Sequence, residues 1–271
     1  MSNRASNPSR YCIVIPARYA STRLPGKPLA DIAGKPMIQR VYERASKSAA
    51  AEIIVATDDQ RVFDVVEGFG GRVVMTSSEH PSGTDRLCEV AQSCNFAAQD
   101  IVVNLQGDEP EMPVAVLEQV AANLEHNPLA DIATMCTPIN DIDELLDTNA
   151  VKVVRDVQDF ALYFSRAAIP HLRGANPDAL AALREQFENT GGDVNAGYYR
   201  HLGLYAYRVR ALQAFVSWPV SPLEASEKLE QLRALSNGLR IHCAEAVAQV
   251  PPGIDCPEDL ERARKNIAAA N

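Results

Sequence analysis

The sequence predicts an α/β protein built on a mainly parallel sheet covered by helices, and three observations carry that expectation. Short β-rich runs alternate with amphipathic helical stretches through the first two-thirds of the chain, and no repeat or low-complexity block interrupts them. Hydrophobic residues make up 46% and charged residues 23%, the balance of an ordinary globular protein. The 271 residues suffice to bury well over half of the surface that the unfolded chain exposes.

The strands are expected at 11–17, 52–57, 72–76, 100–105 and 131–138. Between them, 36–48 presents Met37, Val41, Tyr42 and Ala45 at helical spacing, with Pro36 suited to a first helical turn. Further helices are expected at 59–69 and 84–94. After about residue 139 the texture changes: 151–156 and 160–165 read as a hairpin, and the Gly/Asn-rich stretch 189–197 as a flexible loop. A strand at 199–207, a helix at 222–236, a strand at 239–247 and a closing helix at 257–270 complete the pattern. One continuous sheet in a single domain over 11–271 is expected, preceded by a disordered polar tail at 1–10.

The net charge of -9 argues against a general nucleic-acid binder, which needs a basic face. Cations nevertheless cluster at the start, where Arg4, Arg10, Arg18, Arg23 and Lys27 all precede the first acidic residue, Asp31. Six scattered cysteines form no CxxC pair, which suits reduced thiols rather than a zinc site. Without an apolar signal core in 1–10 or a membrane-length apolar run elsewhere, the expected location is the cytoplasm, with no membrane partner.

In open sheets of this kind ligands bind beyond the carboxyl ends of the strands, so a site is expected after Ile15, Thr57 and Leu105. After the first strand the sequence reads IPARYASTRLPGKP, a loop holding Arg18, Arg23, Gly26 and Lys27. A triphosphate calls for that mixture of long cations, permissive glycine and exposed backbone donors. It is neither a GxxxxGK[ST] P-loop nor a GxGxxG turn. After the apolar run 101–105 come Gln106, Gly107, Asp108 and Glu109, which would place a carboxylate at the sheet edge. Magnesium takes one or two carboxylates plus phosphate oxygens and waters, so Asp108 is a metal-ligand candidate, with a turn-capping role as the other reading. Asp255 is a weaker candidate, because Asp255 and Glu258 also compose an Asp-x-x-Glu capping box.

Taken together, ARYASTRLPGKPL, NLQGDEP, HPSGTDRL, NAVKVV, ALYFSRAAIP, RHLGLYAYR, SPLE with EQLR, and GIDCPEDL resemble the 3-deoxy-manno-octulosonate (Kdo) cytidylyltransferases over nearly the whole chain after Arg10. The resemblance implies a nucleotide-diphospho-sugar transferase fold, a Rossmann-like α/β/α sandwich with a mainly parallel mixed sheet. It implies a homodimer that converts CTP and Kdo to CMP-Kdo and pyrophosphate for lipopolysaccharide assembly, with sugar-pocket and dimerisation elements mainly in 139–248. Carried over by position, Arg18 and Lys27 would hold the triphosphate, with Arg23 and Ala17 near the nucleotide and Ser82 and Gly83 near the cytosine. Asp108 and Asp255 would ligate Mg2+, the cofactor. Gln106, Arg166, His201, Tyr205, Glu224 and Glu227 would form the Kdo pocket.

Several of these residues also have structural readings. Ser82 can start the helix at Thr84, Arg166 can make a surface ion pair, and His201 can be a satisfied strand histidine. Ser221 and Glu224 compose a capping box with Pro222 at the first helical position, and Glu227 shares that helix face. The segment 173–197 carries none of the motifs, and no site is transferred to it. The chemistry expected is in-line attack of the anomeric hydroxyl of Kdo on the α-phosphorus of CTP, with Arg18, Lys27 and Asp108 as the catalytic set. The competing readings are a cytidylyltransferase for another acid sugar, a sialic acid or an amino analogue of Kdo, and a non-catalytic nucleotide-binding regulatory module.

Overall fold

In the computed structural model, which describes residues 11–20, 24–171, 184–185 and 197–269, the first strand lies deep inside a nine-stranded mixed sheet. The chain order begins with β1 (Tyr11–Ala17), β2 (Asp31–Ile32), β3 (Lys35–Pro36), α1 (Met37–Ala45), β4 (Glu52–Thr57), α2 (Gln60–Gly68) and β5 (Arg72–Met75). It continues with α3 (Gly83–Ser93), β6 (Ile101–Asn104), α4 (Val114–His126), β7 (Ile132–Pro138), α5 (Ile142–Leu146), β8 (Lys152–Arg155) and β9 (Ala161–Ser165). It ends with β10 (Tyr199–Arg208), α6 (Val209–Ser217), α7 (Pro222–Glu227), α8 (Gln231–Ser236), β11 (Ile241–Glu245) and α9 (Pro257–Ala269).

Strands run in the order β11-β7-β10-β6-β1-β4-β5, and the β8–β9 hairpin attaches through β10. All neighbours along that path are parallel except β10, which is antiparallel to both β6 and β7. The alternation of β1 shows why helices cover both faces. Ile13, Ile15 and Ala17 pack into one cluster with α1, α2 and α4, whereas Val14 faces a second cluster built with α3, α6 and α8. Each fully buried Ile or Leu contributes about 1.5–3 kcal/mol, so two such clusters fix the register of the central strands.

The expected strands and helices form with end shifts of at most three residues, and the strands at 11–17 and 52–57 form without any. The helix begun near Pro36 stops at Ala45, where Ser46 Oγ and Ser48 Oγ donate to the Tyr42 and Ala45 carbonyls and close the last turn. One expectation is corrected: 222–236 is not one helix. It breaks at Lys228, which adopts a left-handed backbone (φ 55) and donates its N–H to the Glu224 carbonyl, leaving α7 and α8 as separate segments. The sequence reading did not foresee the β2–β3 pair, α4, α5 or α6. The tail 1–10 and nearly all of the 189–197 loop lie outside the described residues. No helix among the described residues is long and apolar enough to cross a membrane.

Candidate active site

Three segments meet where β1 and β6 end. Gly107 follows β6 so closely that a Cβ there would stand 2.8 Å from the Pro16 carbonyl oxygen, which explains the glycine in that turn. Gly26, with φ 67, turns the chain into the short 3-10 segment Lys27–Leu29 and presents the Lys27 side chain inward. From the far end of the sequence, Ile254 donates its N–H to the Asp108 carbonyl at 3.0 Å and docks the loop that carries Asp255. A cleft of about 430 Å³ opens between them, lined among others by Ala17, Arg18, Lys27, Gly83, Gln106 and Asp108.

Lys27 Nζ donates to Asp108 Oδ2 at 2.5 Å and to Asp255 Oδ1 at 3.0 Å. Burial works against this ammonium, but the two carboxylates outweigh it and hold the Lys27 pKa above its ordinary value. At the start of α9 the side chain accepting the Asp255 N–H is Asp259, where the expected capping box had Glu258. The return bonds at the start of α9 run from the Asp255 and Cys256 N–H groups to Asp259, leaving Asp255 Oδ1 to face Lys27. Two hard carboxylate oxygens converging on one cation suit a magnesium-type ion that completes its shell with phosphate oxygens and water. Among the described residues there is no group of three or more His, Cys, Asp or Glu side chains placed to hold a metal by protein ligands alone. Next to Asp108, burial and then the Asp108 charge push the Glu109 carboxyl up to about 8.

Arg18 also lines the cleft, and its guanidinium donates to the His80 carbonyl at 2.6 Å, tying the loop after β1 to the turn before α3. Ser82 caps α3 by accepting the Thr84 and Asp85 N–H groups, while Gly83 faces the cleft; the helix-starting role and proximity to the nucleotide site coexist. Arg23 lies outside the described residues.

The expected sugar residues divide. Gln106 is in the cleft, and Tyr205 lines a second cavity of about 100 Å³ together with Thr84, Tyr207, Glu230 and Gln231. His201 contacts Thr134 Oγ1 at 2.9 Å through Nε2 and packs between Phe164 and Tyr205 at centroid distances of 4.9 and 5.3 Å. Burial pushes its imidazole down to about 3, so it is neutral at physiological pH.

The other three have partners within the fold. Arg166 donates to the Glu227 and Thr148 carbonyls, and the Glu227 carboxylate accepts from Ser165 Oγ and the Arg166 N–H. Glu224 completes the capping box with Ser221 and receives both Nε and a terminal nitrogen of Arg233, at 2.8 and 2.6 Å. Glu230 and Gln231, which sequence reasoning missed, are the side chains of this region that reach a cavity. The signal was present in EQLR, but the unforeseen break at Lys228 decides which carboxylates turn inward.

Comparison with known proteins adds to this geometry. Residues 12–241 match the Cytidylyltransferase family. A 3-deoxy-manno-octulosonate cytidylyltransferase from Saccharophagus degradans is 54% identical over 260 residues, covering 96% of this chain and 99% of that protein. The protein of the same name from Idiomarina loihiensis is 52% identical over 257 residues, covering 94% and 97%. The structure of a CMP:2-keto-3-deoxy-manno-octonic acid synthetase complexed with CTP superposes with a TM-score of 0.85 at 44% identity, covering 97% of this chain and 100% of that one. A cytidylyltransferase from Leptospira borgpetersenii, at 18% identity and a TM-score of 0.60 over 96% of this chain and 87% of its own, shares the fold.

Proposed function

We infer the reaction from the premise that this chain belongs to the cytidylyltransferase family, among the 3-deoxy-manno-octulosonate cytidylyltransferases: it converts CTP and Kdo to CMP-Kdo and pyrophosphate. The observation that supports the residue roles best is the convergence of Lys27, Asp108 and Asp255 at the mouth of a cleft that also holds Arg18.

In the reaction the anomeric oxygen of Kdo forms a bond to the α-phosphorus of CTP, and the bond from that phosphorus to the bridging oxygen of pyrophosphate breaks. The protein positions the two substrates in line and neutralises charge on the phosphates. Arg18 and Lys27 bind the triphosphate and stabilise the leaving pyrophosphate. Ala17 and Gly83 let the nucleotide approach the backbone, and Arg23, in the same loop, adds a third cation. Asp108 and Asp255 hold Mg2+, which supplies positive charge at the phosphate oxygens when bound. On binding, Lys27 exchanges its carboxylate partners for phosphate, so the pairing of these three residues keeps the charges in place until substrate arrives.

Gln106, Tyr205 and His201 form the Kdo side of the site, now joined by Glu230 and Gln231 around the second cavity. Arg166, Glu224 and Glu227 shape that side from behind, through the contacts that fix the loop at Thr148 and the α7–α8 break. The same reading gives a homodimer in the cytoplasm serving lipopolysaccharide assembly, without nucleic-acid or membrane partners. Exposed Val157 and Leu162 on the β8–β9 hairpin are apolar surface that pairing would cover.

The test is pyrophosphate release by purified protein with Mg2+, with CTP exchanged for ATP, UTP or GTP and Kdo for sialic acid. Release that depends on CTP, Kdo and Mg2+ together is expected. Turnover with a different acid sugar alone would change the substrate, and CTP binding without release for any sugar would leave only a nucleotide-binding module.

A further inference from the structure

Ser82 precedes Gly83, which lines the nucleotide cleft, and its hydroxyl reaches Glu230, which lines the second cavity. Ser82 Oγ lies 2.6 Å from Asp85 Oδ2 and 2.8 Å from Glu230 Oε1, and it also accepts the Thr84 and Asp85 N–H groups at 3.2 and 3.4 Å. A serine hydroxyl has one hydrogen to donate. With both carboxyls ionised, one of the two short contacts would set lone pair against lone pair. A carboxyl that carries its own hydrogen and donates it to Ser82 removes that clash, with the longer of the two N–H contacts, from Asp85, released to keep Ser82 Oγ within its two acceptor sites.

The surroundings decide which. Asp85 lies in the first turn of the eleven-residue helix α3, where unpaired N–H groups and the helix dipole favour a negative charge. Glu230 faces the second cavity, whose other polar lining is Thr84, Tyr205, Tyr207 and Gln231, so an ionised Glu230 would be the one charge among its described lining residues. Nearby, Arg233 is committed to Glu224. Burial, the largest effect, raises the Glu230 pKa; hydrogen bonds from Ser82 and Thr84 and then the Arg233 charge oppose it, and Asp85 adds the smallest effect, upward. The remaining neighbours across the cavity, Ile132 on β7 and Phe215 on α6, carry no ionisable group.

We propose that Ser82 bridges the two substrate sites by sharing one hydrogen with Asp85 and accepting another from a neutral Glu230, which keeps the second cavity uncharged for an acid sugar. The proposal rests on the reading above that the second substrate is an acid sugar. Glu230 then acts as a positioning and specificity residue. When it ionises, its charge repels the sugar carboxylate, and it can no longer donate a hydrogen to Ser82.

Three variants test this in the full-length enzyme with CTP and Mg2+. The sugar KM is measured across the pH range over which the enzyme stays folded. In the wild type it should rise on the order of tenfold across the titration of Glu230, while the KM for CTP does not follow. Glu230→Gln should have a sugar KM that is flat over the same range, whatever its absolute value. Asp85→Asn, by removing a charge that raises the Glu230 pKa, should move the rise to lower pH, and the double variant should be flat. A readout independent of turnover is 13C NMR of carboxyl-labelled glutamate, in which a signal titrating above the ordinary carboxylate range, distinct from that of Glu109, should vanish in Glu230→Gln and persist in Glu109→Gln. If nothing turns over, the proposed reaction fails while the NMR titration still decides the protonation of Glu230. A flat wild-type KM, a Gln variant with the same rise, or a Glu230 signal titrating in the ordinary range would each overturn the proposal.

Discussion

The nucleotide cleft and the sugar-side half use charged residues in opposite ways. In the cleft, Lys27, Asp108 and Asp255 come from three segments up to 228 positions apart, and Lys27 pairs with both carboxylates at the edge of an open cavity. On the sugar side, Arg166, Glu227, Glu224 and Arg233 spend their hydrogen bonds on backbone, on the Ser165 hydroxyl and on each other, and Glu224 and Arg233 are buried. Charges of the first kind can be handed to a substrate, because their mutual pairing costs little to exchange. Charges of the second kind hold the walls, because removing one partner strands the other away from water.

The sharpest way to break this contrast is at Lys27. Lys27→Ala should lower kcat/KM about a hundredfold, roughly 3 kcal/mol of transition-state stabilisation, with an almost unchanged melting temperature. Near-normal turnover in that variant would remove Lys27 from the mechanism. Glu224→Ala should do the reverse, costing about 3 kcal/mol of folding stability in urea unfolding because Arg233 is left buried without its partner. A raised sugar KM at unchanged stability would instead mean that Glu224 touches the sugar.

A third prediction concerns His201. Its pKa is depressed to about 3 by burial, so between pH 6.5 and 3 the unfolded chain binds a proton that the folded state refuses. Stability should therefore fall as pH drops through this window, and His201→Gln should lose less than the wild type when unfolding is compared at about pH 7 and about pH 5. Equal losses would mean that the imidazole is solvated. The smallest expected effect is Ser221→Ala, which removes the α7 cap and should cost about 1 kcal/mol without changing turnover per folded molecule.

Much of the cleft was legible because its residues sit in short linear stretches at strand ends. The apolar run before Gln106 and the loop after β1 each announce a strand and its edge, so Asp108, Arg18 and Lys27 could be placed from pattern alone. Asp255 could not: only the docking of Ile254 on Asp108 brings it to the cleft, and no local pattern encodes a contact across that separation. The sugar side was legible in its strands but not in its carboxylates. A continuous helix over 222–236 would keep Glu224 and Glu227 on one face, and nothing in the local sequence marks Lys228 as a left-handed residue. That one backbone turn gives Glu227 to Ser165 and Arg166 and sets Glu230 and Gln231 against the cavity beside Tyr205.

The measurement that meets the central claim most directly is 31P NMR of the products formed from CTP and Kdo with Mg2+, with the wild type and Lys27→Ala run in parallel. The account predicts a phosphodiester joining CMP to the sugar, appearing in step with one equivalent of pyrophosphate, and its near absence in the variant over the same time. CTP hydrolysed to CMP without a sugar-linked phosphodiester, or the same product formed at equal rates by the variant, would contradict it.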